Sequence, residues 1–131
     1  MSRTKSRFAW TAGIAAIIGV AAILPRVVAS NADDVREIHL VVRNMTFYLE
    51  GHDDPNPTLY ARRGERVRIR LSNRDPGMSH DFAVPSWKRS TALTDYTGEA
   101  AVEFTAPVTP EAATYSCTPH GEMMRGIIRI E

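Results

Sequence analysis

The chain holds a single cysteine, Cys117, in 131 residues. No disulfide can form within it, so stability has to come from a buried apolar core, and a lone thiol becomes a candidate for chemistry. Histidine is scarce as well, with four residues. That excludes an enzyme built on several His-rich metal sites, and one cysteine excludes a binuclear centre bridged by two. Convincing helical periodicity is missing after residue 30, as are internal repeats and low-complexity tracts. The formal net charge is only +1, and all 15 acidic residues lie after residue 30. The body of the chain is close to neutral and gives no electrostatic case for nucleic-acid binding.

Residues 1–30 differ in carrying bases and no acid. Arg3, Lys5 and Arg7 precede an uncharged apolar run, Phe8–Leu24, which Pro25 closes before small residues through Ala29, Ser30 and Ala32. A basic flank, an apolar stretch and a small-residue region in this order predict a hydrophobic helix that acts as a signal peptide or a membrane anchor over residues 1–32. The run of 17 residues lies between a long signal core and a short membrane span. Cleavage near Ala29 or Ala32 is the preferred reading. Either way the basic flank stays inside. Residues 33–131 are then expected in the periplasm or another extracytoplasmic space, released or held at the inner membrane through residues 8–24.

After a polar linker at residues 31–37 the chain reads as short strands separated by turns. Ile38, Leu40 and Val42 alternate with more polar neighbours, and Val67, Ile69 and Leu71 alternate with Arg66, Arg68 and Arg70. Val102 with Phe104, and Ile128 with Ile130, repeat the pattern. Glycine, proline, asparagine and aspartate punctuate the gaps, notably at Gly51–Pro57, Asn73–Gly77 and Pro107–Pro110. Strands at this spacing predict an all-β domain over residues 33–131, a two-sheet antiparallel Greek-key sandwich. Residues 86–97 are patterned weakly enough to hold a helical turn. The arginines at 62, 63, 66, 68 and 70 read as a solvated face paired with acidic neighbours.

The densest chemistry is Cys117-Thr118-Pro119-His120-Gly121-Glu122-Met123-Met124. A thiolate, an imidazole and two thioethers in eight residues form a soft ligand set that selects copper. A mononuclear electron-transfer copper site needs a second imidazole. His80 fits best, because Met78–Val84 places it at the entry to a strand directly after the Asn73–Gly77 loop. His39 lies inside a strand on the polar face, and His52 sits in an acidic loop beside Asp53 and Asp54.

Ser79-His80-Asp81-Phe82, Tyr115-Ser116-Cys117-Thr118-Pro119-His120 and Met124-Arg125-Gly126-Ile127-Ile128 together resemble the cupredoxins, the small blue copper proteins, over residues 36–131. The resemblance implies one type-1 copper ligated by His80, Cys117, His120 and a methionine. Met124 is the expected axial ligand, since it keeps a Met-x-Gly before the last strand; Met123 is the alternative. Asp81 is expected to bond across to the Thr118 region and tie the two ligand loops. Pro119 has no N–H to offer the Cys117 sulfur, and Tyr115 should pack in the core beside the site.

The function this implies is electron transfer without substrate chemistry. A monomer would dock donor and acceptor redox proteins near His120, through a rim of Pro76, Gly77, Met78, Pro119 and Met123. An extracytoplasmic copper-handling protein, a chaperone or resistance factor, is the alternative.

Overall fold

The computed structural model describes residues 34–131. The hydrophobic N-terminal helix and the boundary at residue 32 lie outside the described residues. Nine strands follow in chain order. They are β1 (Val35–Arg43), β2 (Thr46–Leu49), β3 (Leu59–Ala61), β4 (Arg66–Asn73), β5 (Ala83–Val84), β6 (Arg89–Ser90), β7 (Glu99–Thr105), β8 (Glu111–Ser116) and β9 (Arg125–Ile130). One sheet has the order β2-β1-β4-β7 and the other β3-β9-β8-β5-β6. The region of weak patterning begins with a single 3-10 turn, Pro85–Trp87.

The all-β sandwich is as expected, but its strands are not all antiparallel. β1 runs parallel to β4, and β3 runs parallel to β9. The cause is the path between β2 and β4. The chain leaves the first sheet, lays β3 on the edge of the second, and returns with β4 alongside β1 in the same direction. Strand also begins earlier than the polar composition suggests. Val35, Arg36 and Glu37 already pair with Arg66, Val67 and Arg68. Arg36 fixes this start by donating to Glu65 at 2.7 Å and to the Tyr60 carbonyl at 2.7 Å.

Alternation sets the two faces of the first sheet. Ile38, Leu40, Val42, Val67, Ile69 and Leu71 point into the core, and each such side chain contributes about 1.5–3 kcal/mol by leaving water. Arg66 and Arg68 face outward and share Glu103 at 2.5 and 3.0 Å, while Arg70 reaches Glu99 at 3.0 Å. These are exposed pairs between β4 and β7, worth little singly.

An aromatic group fills the core beneath one end of the sandwich. The Tyr115 ring stacks on Phe82 at 5.2 Å and meets Phe47 edge-on at 5.4 Å. Tyr115 also donates its hydroxyl to the Pro57 carbonyl at 2.6 Å. Burial pushes its phenol pKa far up, so the group stays a donor. Tyr115 is two residues from Cys117, and Phe82 is two residues from His80. The same packed core therefore carries both segments that hold the candidate ligands His80 and Cys117.

Candidate metal centre

His80 stands where the Asn73–Gly77 loop rejoins the sandwich. Pro76 and Gly77 occupy the middle of a turn closed by Met78 N–H to the Asp75 carbonyl at 3.3 Å, and Gly77 takes the positive φ of 77° that such a turn needs. Asn73 staples the loop from inside. Its amide donates to the carbonyls of Met78 at 2.7 Å and Thr94 at 2.9 Å, and its Oδ1 accepts from Asp75 N–H at 2.8 Å. His80 then bridges Thr94 through two backbone bonds, N–H to O at 3.0 Å and O from N–H at 2.8 Å. It lies just before strand β5, on an isolated bridge.

Cys117 follows the last residue of β8, fully buried. Its N–H donates to the Met124 carbonyl at 3.0 Å, closing a loop that contains His120. Inside that loop Met123 N–H and Met124 N–H both reach the His120 carbonyl at 3.0 Å. The loop is thus a compact hydrogen-bonded turn.

These two segments bring three candidate ligand side chains together, two imidazoles and a thiol. Cys117 Sγ lies 3.6 Å from His80 Nδ1 and 3.5 Å from His120 Nδ1. The ligand atoms of His80, Cys117 and His120 all fall within 4.8 Å of one another, a group that could hold a metal ion. His80 is fully buried and His120 half-buried. Burial pushes the Cys117 thiol pKa up. Burial also pushes the His80 imidazole down; Asp75 partly offsets this and His120 adds to it. Without metal the site therefore favours neutral thiol and neutral imidazole, and a bound cation has to displace the thiol proton.

The two carboxylates beside His80 have different partners. Asp81 accepts from Thr118 N–H and from the Thr118 hydroxyl, both at 2.6 Å, which is the tie between ligand loops that the sequence suggested. Asp75 was not anticipated. Its Oδ2 lies 3.1 Å from His80 Nε2. In sequence it is one more polar residue of a turn, and nothing there pointed to the metal centre.

The two methionines separate cleanly. Met124 is 0% exposed and part of the core, whereas Met123 is 62% exposed. His39 lies away from the group, with Nδ1 2.5 Å from Glu50 and Nε2 2.7 Å from Ser72 Oγ. His52 is exposed in its loop.

The two-sheet sandwich, with the His-Cys-His group held where two loops meet it, decides the architecture. The chain has the cupredoxin fold. Auracyanin A, a "blue" copper protein from Chloroflexus aurantiacus, superposes with a TM-score of 0.57 at 15% identity, over 75% of this chain and 100% of its own. Dithionite-reduced auracyanin from Roseiflexus castenholzii gives 0.60 at 14% identity, over 73% and 97%. The same cupredoxin fold occurs inside an enzyme. A Cu-containing nitrite reductase from Thermus scotoductus matches with a TM-score of 0.57 at 22% identity, over 75% of this chain but 28% of its own. No family model and no curated protein matches the sequence.

Proposed function

We propose that this protein is a type-1 blue copper electron carrier, in which His80, Cys117, His120 and the buried Met124 would hold the copper. The observation that supports it most is the convergence of Cys117 Sγ with two imidazole Nδ1 atoms at 3.5 and 3.6 Å. Two imidazoles, one thiolate and a buried thioether fit copper in both oxidation states. The bound metal would supply reversible one-electron exchange and nothing else.

The rest is the work of this chain's residues. The aromatic core and the Asp81–Thr118 bonds hold the ligand atoms in place, so little has to move when an electron arrives. Burial of His80 and Cys117 keeps water and competing ligands out. A protein that hands copper on would need ligands within a partner's reach, so this burial favours the carrier over copper handling. Half-buried His120 is the route outward, and donor and acceptor proteins dock over it on the exposed Met78 and Met123. The protein works as a monomer outside the cytoplasm, delivered or anchored by residues 1–32.

The test is a visible and EPR spectrum of the copper-loaded protein, beside Cys117→Ser. An intense thiolate-to-copper band that bleaches reversibly on reduction and is lost in the serine variant is the expected result. A colourless protein that exchanges Cu(I) readily would point to copper handling.

A further inference from the structure

We propose that Asp75 is the positioning residue for the His80 ligand and biases the site toward the oxidised metal. This rests on the copper reading above and goes further by assigning a role to a carboxylate outside the ligand set.

Three facts converge on it. Asp75 is 8% exposed, and its Oδ2 lies 3.1 Å from His80 Nε2. The same oxygen accepts Met45 N–H at 2.8 Å. Met45 and Asn44 both have positive φ, 57° and 50°, and form the tight turn between β1 and β2. Asp75 therefore joins the tip of that hairpin to the back of the ligand imidazole.

A carboxylate only accepts hydrogen bonds when ionised, so the Nε2 proton of His80 belongs in this contact. That leaves the Nδ1 lone pair free on the side facing Cys117. The contact thus selects the tautomer and ring orientation that ligation requires. It also places a negative charge directly behind one ligand, in addition to the Cys117 thiolate. A fixed anion at that range favours Cu(II) over Cu(I).

Two substitutions separate the effects. Both donors reach the same oxygen, so Asp75→Asn can keep both bonds while removing the charge; Asp75→Ala removes everything. In the metal-free protein, nitrogen NMR should show His80 protonated at Nε2 in the parent and in Asp75→Asn, and a tautomer mixture in Asp75→Ala. In the copper-loaded protein, Asp75→Asn should lower the preference for Cu(II) over Cu(I) about tenfold, read as a rise in potential of about 59 mV. A parent with His80 protonated at Nδ1, or an Asp75→Asn potential equal to the parent's, overturns the role of Asp75 while a blue band leaves the copper reading standing. A parent with no thiolate-to-copper band overturns both.

Discussion

Asp81 holds Thr118 with both carboxylate oxygens, one on the backbone N–H and one on the side-chain hydroxyl, each at 2.6 Å. The two residues follow His80 and Cys117 in sequence, so this pair locks the spacing of two candidate ligands that lie far apart along the chain. Bonds to an ionised acceptor contribute roughly 1.5–3 kcal/mol each. Asp81→Ala should therefore destabilise the protein by about 3 kcal/mol, measured by urea unfolding. Asp81→Asn can accept at one position only and should fall between. Copper-loaded Asp81→Ala should also show a broadened EPR signal, as the Cys117 loop loses its fixed distance from His80. An unchanged spectrum would show that the loop is held by its own backbone bonds.

The methionine pair gives a sharper contrast. Met124 is buried and Met123 lies on the surface. Met124→Leu nearly conserves volume and should cost under about 1.5 kcal/mol. It should nevertheless shift the copper potential and spectrum, because the thioether is gone. Met123→Leu should leave both unchanged. A strong spectral change in Met123→Leu alone would reverse the assignment of the axial ligand.

Met123 has a different use. Replacing Met78 or Met123, both exposed, by Lys puts a charge into the surface proposed for docking over His120. Stopped-flow electron exchange with a redox partner should slow, with copper content and spectrum retained. Equal rates would take that surface out of the docking account.

Which side chains face the core could be read from Val67, Ile69 and Leu71 alone, because alternation assigns faces directly. Strand direction could not, since a parallel and an antiparallel neighbour demand the same alternation. The parallel β1–β4 and β3–β9 pairs became visible only with the fold. At the site, His80, Cys117 and His120 stood out because their chemistry is rare in this chain. Asn73 and Asp75 did not, because Asn and Asp are ordinary turn residues and their bonds to Thr94, Met45 and His80 cross between segments. Gly126 was legible as part of a motif, but its cause was not. It pairs with Tyr115 across β8 and β9, and a Cβ there would overlap the Tyr115 ring.

That overlap predicts a folding defect. The Tyr115 ring is fully buried between Phe47 and Phe82 and cannot swing aside. Gly126→Ala should cost about 3 kcal/mol, the upper end for overpacking. Tyr115→Leu removes the ring and with it the clash, so the double variant should be less destabilised than the two single costs added. Strict additivity in denaturant titrations would show that the strand edges shift to make room.

Acid should weaken the fold through the carboxylates that face arginine. Hydrogen bonding from Arg36 holds the Glu65 pKa below its ordinary value, and Arg70 and Arg66 do the same for Glu99 and Glu103. A folded pKa below the unfolded one means that the unfolded chain takes up the proton first. The stabilisation is then complete above the unfolded value, about 4.3 for glutamate, and is lost as pH falls through the lower folded values. The Glu99 and Glu103 pairs are exposed and screened by salt, so Glu65 should carry most of what is measurable. The lowered His80 pKa acts with the same sign, starting below about 6.5, so acid lability alone does not identify the glutamates. Arg36→Ala isolates Glu65. Metal-free parent and variant should differ in stability at pH 6, and the gap should narrow as pH falls through the lowered Glu65 pKa of the folded parent. A gap that does not narrow in acid would assign the effect of Arg36 to its bond with the Tyr60 carbonyl instead.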